Sequence, residues 1–186
     1  HALWAQEGLP SLHAPMPASD LIKPGREADE AALFEALMQG LRAGTVLAPA
    51  LEAGTPRTAG VAEGRLIGGN LSLVAALMGT PWAWDAHGAI LFLEDVSEEP
   101  YRVDRYLTQL RLGGVLGAVA GVVLGSFTDE AYPLDLLRAT FESLGKPVLG
   151  GWPTGHGTPN RPLPMGLRAR LDATAGTLTL LEDLLA

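Results

Sequence analysis

His156 stands between two glycines, in a loop that also carries Gly150, Gly151, Pro153 and Pro159. Glycines on both sides remove side-chain bulk, so the imidazole can project into a cleft and another backbone can approach closely. An imidazole acts as a general base only when hydrogen-bond partners orient it, and a carboxylate is the usual second partner. The same pattern also describes a surface-loop histidine among turn-forming glycines. Two adjacent acids, Glu94 and Asp95, close the apolar run Ile90-Leu91-Phe92-Leu93. They can serve as a base-orienting acid, as half of an acid pair, or as metal ligands. Equally, one can cap the following turn while the other pairs with Arg102 or Arg105. A metal is poorly served, because the sequence has no HExxH, no paired histidines and no EF-hand loop.

Weaker signals lie elsewhere. Gly68-Gly69-Asn70 falls between a strand pattern and a helix pattern, as a phosphate loop does, but it lacks the Walker lysine and the GxGxxG spacing. Asn70-Leu71-Ser72 matches a glycosylation sequon, although an asparagine at a helix start reads as an N-cap. Trp82, Trp84 and Trp152 can line a pocket, and at least two of them are expected to be packing residues at the domain surface. His13 and His87 take no defined role from their own surroundings.

The elements that must hold these residues follow from periodicity and punctuation. The run Ile90–Leu93 reads as a short buried strand that stops at the acids. Pro100 then opens a helix in which Val103, Tyr106, Leu107 and Leu110 share a face, ending near Gly113-Gly114. Carboxylates at the carboxyl end of a buried strand, just ahead of a helix, sit where open α/β sheets place their chemistry. A helix is expected over 27–41, with Ala31, Leu33, Phe34, Leu37 and Leu41 on its apolar face. Another is expected from Asn70 to Gly79 and a third over 133–144. Strands are expected over 45–47, 60–67, 118–124 and 147–149, with a hairpin over 166–181. Strands alternating with helices, then a hairpin, imply an α/β fold with a mixed sheet.

Bulk properties exclude several classes. The 186 residues are 47% hydrophobic and 18% charged, with a net charge of −8 and no basic run, which argues against nucleic acid or an anionic membrane as partner. Without cysteine there is no disulfide framework, thiolate nucleophile or thiolate metal site. The most apolar run, Val115–Leu124, is about half a membrane span and is broken by Gly117 and Gly121. The chain opens at His1, without a signal-like stretch, straight into HALWAQEGL, with helical spacing at Leu3, Trp4 and Leu9 and a Gly8 suited to ending the helix. It reads as a helix entered midway, so a fragment of a longer protein is expected.

Four segments, in order, carry a resemblance: IGGNLSLVAALMGTPW, ILFLEDVSEEPYRVDRYLTQLR, GVVLGSFTD, and the GHG loop ahead of LPMGLRARLDATAGTLTLLE. Together they resemble the C-terminal part of the serine-type L,D-carboxypeptidases, the family of muramoyltetrapeptide carboxypeptidases and microcin-immunity peptidases. The resemblance spans essentially the whole chain. It implies a swivelling-type C-terminal domain that supplies a glutamate and a histidine to a catalytic triad, here Glu94 of LFLED and His156 of GHG. The nucleophilic serine would come from an N-terminal α/β domain, on a strand-to-helix elbow with a motif like GYSD.

On that resemblance residues 1–24 are the end of the nucleophile domain and a linker, and residues 25–186 are the C-terminal domain. PSLHAPM resembles the family's HGPM strand, with Ala14 where glycine is usual. The serine would lie upstream of His1, since the serines at positions 11, 19, 72, 97, 126 and 143 have no elbow context. The chain alone is then expected to be inactive. The resemblance implies a cytoplasmic, dimeric enzyme without a cofactor, which removes a terminal D-alanine from muropeptides during peptidoglycan recycling. Arg102 or Arg105 is a candidate for the substrate carboxylate. A peptidyl-nucleotide substrate of the microcin type, with Trp152 as a stacking partner, is one alternative, and a non-catalytic peptide- or partner-binding module is another.

Overall fold

The computed structural model describes residues 2–128 and 133–184, with side chains from Trp4 onward. Expectations resting on His1, on the Leu3 side chain and on Asp129 fall outside the described residues. Helix α1 (Ala2–Glu7) ends where Gly8, at φ 66°, turns its amide back to Trp4 O. Strand β1 (Ser11–His13) leads through proline-rich turns to α2 (Glu27–Gln39), which has three acids in its first turn. Two short strands, β2 (Val46–Leu47) and β3 (Arg57–Thr58), precede the long β4 (Val61–Asn70). Asn70 then caps α3 (Leu71–Leu77), its Oδ1 accepting from Leu73 N at 3.2 Å, so the sequon residue is an N-cap.

The central run follows as β5 (Ile90–Val96), α4 (Pro100–Leu112), a single turn α5 (Val115–Ala118) and β6 (Gly121–Thr128). After it come α6 (Leu134–Phe141) with a 3₁₀ turn at Glu142–Leu144, β7 (Val148–Leu149), β8 (Leu163–Met165) and the hairpin of β9 (Arg168–Asp172) and β10 (Thr177–Leu180). Three expectations need correction. Strand β5 does not stop at the acids but runs on through them to Val96. The strand expected from residue 118 starts only at Gly121, after a helical turn that takes in Ala118, because a short apolar stretch buried all round looks alike in either conformation.

The third correction concerns α2. Leu33 is buried as expected, but Ala31, Phe34 and Leu37 face outward, the last two 55% and 51% exposed. The inward stripe is Asp29, Leu33 and Ala36. A buried, hydrogen-bonded acid sets the rotation of this helix, at the expense of its widest apolar arc.

Eight strands form one mixed sheet in the order β2-β10-β9-β4-β5-β6-β7-β3, while β1 and β8 form a separate antiparallel ribbon. Strands β4, β5, β6 and β7 are parallel; β3, β9, β10 and β2 join antiparallel. This sheet must curl. Thr58 and Val61 are at most roughly 11 Å apart along the chain, yet β3 and β4 are four strand steps apart, about 19 Å on a flat sheet. The curl brings Arg57 Nε to Ala173 O at 2.9 Å, across the opening between the edge and the β9–β10 turn.

Alternation along the strands then makes two cores. Leu66, Ile90, Phe92, Val123, Leu149 and Leu171 fill the inside of the curl. On the outer face, Ile67, Leu91, Leu93, Val122 and Leu124 meet Val74, Val103, Leu107, Leu110, Leu116 and Phe141 of the helices. Glu94 stands at the carboxyl end of β5, in register with Asn70 at the end of β4.

Candidate active site

The two residues singled out by chemistry meet. His156 Nδ1 lies 2.8 Å from Glu94 Oε2. An ionised carboxylate only accepts hydrogen bonds, so Nδ1 carries the hydrogen and the neutral ring keeps its lone pair on Nε2. Glu94 is fully buried, whereas the His156 side chain is 49% exposed. Both border a cleft of about 810 Å³, between β1 and the following turn on one side and the ends of β4 and α3 on the other. The Glu94 contact raises the His156 pKa above its ordinary 6.5; burial opposes this, and Asp20 and Asp95 add to it through space.

The histidine loop is held from both flanks. Arg26 Nη1 donates to Asp29 Oδ2 at 3.0 Å and to Gly157 O at 2.9 Å. Asp29 Oδ1 accepts from Asn160 N at 3.0 Å, and Asn160 Oδ1 accepts from Gly155 N at 3.1 Å. The start of α2 therefore fixes the residues just before and just after His156. From the other side, Gly157 N donates to Ser126 Oγ at 3.1 Å. Gly155 has to be glycine: its φ is 129°, and an added Cβ would lie 2.5 Å from Ser126 Oγ and 2.6 Å from Glu94 Oε2.

Asp95 takes the structural role foreseen as one option for these acids, although the helix that it caps is the preceding one. Its Oδ1 accepts from Asn70 Nδ2 at 2.7 Å and from Val96 N, and its Oδ2 accepts from Ser72 N at 3.1 Å. Burial raises its pKa despite these donors. The start of α3 thus already carries an internal carboxylate, which removes the phosphate-loop reading of Gly68-Gly69-Asn70. Neither Glu94 nor Asp95 pairs with the arginines of α4. Arg102 instead faces Glu98 at 3.7 Å and the Tyr101 hydroxyl, and Arg105 lies over the Tyr101 ring. Neither arginine borders the cleft.

Trp84 and Trp152 are packing residues, as expected for two of the three tryptophans singled out, but they lie in the buried cores rather than at the domain surface. Trp152 is 2% exposed inside the curl and does not border the cleft. Among the described residues no group of three or more His, Cys, Asp or Glu is arranged to hold a metal ion. Local sequence reasoning missed His13, whose Nε2 lies 3.7 Å from Glu94 Oε1. It also missed the Arg26–Asp29–Asn160 clamp. An acid in the buried stripe of α2 was the one available hint of the clamp.

Comparison with known proteins gives a consistent picture. A sequence model of the family described as the LD-carboxypeptidase C-terminal domain matches residues 63–171. The murein tetrapeptide carboxypeptidase of Pseudomonas aeruginosa is 32% identical over 178 residues, which cover 90% of this chain and 57% of that protein. The crystal structure of muramoyltetrapeptide carboxypeptidase from Oxalobacter formigenes superposes with a TM-score of 0.77 at 34% identity, over 96% of this chain and 63% of that one. The microcin C7 self-immunity protein, in an inactive-mutant apo structure, shares the fold at 22% identity, with a TM-score of 0.81 over 100% of this chain and 64% of that one. The chain spans 60%, 56% and 57% of the length of three further curated relatives.

Proposed function

The chain belongs to the LD-carboxypeptidase C-terminal domain family, and from that premise we propose that it supplies the acid and the base of a Ser-His-Glu triad. In this reading the complete enzyme hydrolyses the L,D-peptide bond before a terminal D-alanine in muropeptides. It works in the cytoplasm as a homodimer in peptidoglycan recycling, without a cofactor. Residues 1–24 belong with the nucleophile domain and residues 25–186 form the domain of the acid and base. The serine comes from outside this chain; among the described serines, Ser126 is occupied structurally, accepting from Gly157 N and facing Thr154 O at 3.4 Å. The observation that carries the reading is the 2.8 Å contact between a half-exposed imidazole and a buried carboxylate at the cleft.

The chemistry follows from that geometry. His156 Nε2 takes the proton as the serine oxygen bonds to the scissile carbonyl carbon. Glu94 holds the ring in the Nδ1–H tautomer and stabilises the imidazolium. The same proton passes to the leaving amine as the C–N bond breaks, and water attacking the acyl-serine by the reverse route frees the shortened peptide. Trp152 is buried inside the curl and does not border the cleft, so it offers no stacking partner there to the base of a peptidyl-nucleotide.

Replacing Glu94 by Gln and His156 by Ala in the full-length protein tests the assignment. Each change is expected to cut turnover of a muramoyl-tetrapeptide by roughly a hundredfold or more. Near-normal turnover in either variant removes that residue from the triad. Hydrolysis by this chain alone contradicts the external serine, and tetrapeptide binding without turnover by the full-length protein supports a non-catalytic module.

A further inference from the structure

The triad reading uses one oxygen of Glu94. The other, Oε1, is buried and has no hydrogen-bond partner among the described residues. Leaving a buried carboxylate oxygen in that state is costly, and buried polar atoms in native proteins are nearly always partnered. One donor is at hand. His13 Nε2 lies 3.7 Å from Oε1, beyond a hydrogen bond by less than an ångström.

The surroundings of His13 suit a donor that travels a short way without turning. Its ring stands edge-on to Phe92, centroids 5.3 Å apart and planes at 70°, so Phe92 acts as a wall that fixes the ring's attitude. Gly69 borders the other ring nitrogen, where an added Cβ would make only an ordinary van der Waals contact with Nδ1, at 3.9 Å. The strand that carries His13, β1, pairs with β8 through three residue pairs in a ribbon separate from the eight-stranded sheet, and Gly166, just after β8, bonds back to Leu66 O of β4. The side chain is 25% exposed, and burial is the largest influence on its proton. Glu94 pulls the His13 pKa up and His156 pushes it down, with a net value below 6.5, so the ring is neutral at pH 7.

We propose that His13 is a positioning residue for the acid: its Nε2–H is donated to Glu94 Oε1, so that the carboxylate is held between two imidazoles, His156 as the proton-transferring base and His13 as a fixed neutral donor. This rests on the reading of Glu94 and His156 as triad acid and base. Its consequence is electrostatic. A carboxylate that shares its charge with a second donor pulls less strongly on the His156 proton, which lowers the midpoint of the base. The other charged groups that reach His156 are Asp20 and Asp95, and both act in the same direction as Glu94.

The test compares wild type with His13→Phe, which keeps an aromatic edge against Phe92 without an N–H, and with His13→Gln, which restores an N–H donor. The His156 midpoint is read by NMR from its ring Cε1–H, and kcat and KM are measured against pH in the full-length protein. In His13→Phe the midpoint is expected to rise by about 0.5 pH unit. The acidic limb of kcat/KM should move with it, and kcat should fall roughly tenfold while KM stays within about twofold. His13→Gln should recover most of both. A wild-type His156 midpoint in His13→Phe overturns the proposal, and so does His13→Gln behaving like His13→Phe. The NMR midpoint needs no turnover, so failure here is distinguishable from failure of the triad reading, which shows as unaltered turnover in Glu94→Gln.

Discussion

The two sides of the Glu94 carboxylate are built in different ways. At Oε2, His156 arrives on a loop pinned by Arg26, Asn160 and Ser126, each bonded to a backbone atom of the flanking glycines. At Oε1, His13 arrives on a three-residue strand paired with β8, and its ring stops 3.7 Å short. One side is fixed by a polar network reaching back to a buried acid on α2, whereas the other is guided by an apolar wall. A base that must accept and return a proton needs its ring in one place, which calls for several convergent hydrogen bonds. A donor that only steadies the acid tolerates play.

The largest effect on turnover should come from Gly155→Ala. The new methyl collides with Ser126 Oγ and Glu94 Oε2 at a backbone φ of 129°, so the loop must move. Turnover of the full-length protein is expected to fall roughly a hundredfold, with a loss of about 1–3 kcal/mol in denaturant unfolding. Unchanged kinetics would mean that the loop position does not matter. Next comes Asp29→Asn, which leaves the nearly buried Arg26 without its counter-charge. A loss of roughly 3 kcal/mol is expected, against less than about 1 kcal/mol for His13→Phe. Equal losses in urea melts would erase the contrast between the two sides.

A subtler difference should appear with pH. Contact with Glu94 raises the His156 midpoint above 6.5, so the folded state holds that proton more tightly than the unfolded chain does. The resulting stabilisation is complete below 6.5 and is lost as pH rises through the folded midpoint. For His13, whose midpoint is depressed, stability is present above 6.5 and is lost as pH falls through the folded value. The Tm gap between wild type and His156→Ala should therefore widen on the acid side, and a gap independent of pH would show that the contact is not made in solution. Smallest of all is Phe34→Ser on the outward face of α2, expected to change stability by less than about 0.5 kcal/mol. A large loss in urea melts would mean that this face is covered.

Much of this arrangement was legible in the sequence, because local signals and tertiary structure agree there. Pro100 opens α4, Asn70 caps α3, and Gly113-Gly114 ends α4, each by chemistry confined to a few residues. The contact between Glu94 and His156 joins residues sixty-two positions apart, and only a resemblance spanning the chain, not their own surroundings, singles the two out together. Other features depend on partners remote in sequence. The pairing of β4 with β9 joins residues a hundred positions apart, and the curl follows from that register together with the short β3–β4 link. Strands of two or three residues such as β3 and β8 carry no period to read. The inward face of α2 departs from its apolar pattern because Asp29 is buried against Asn160, a partner that no local pattern reveals.

The most direct test of the central claim is the His156 ring midpoint measured by NMR in wild type and in Glu94→Gln. The acid–base pair described here requires the midpoint to drop in the variant, since the hydrogen bond that His156 donates to Glu94 is the largest influence raising it. An identical midpoint in the two proteins would contradict the pairing of the two side chains, and with it the triad.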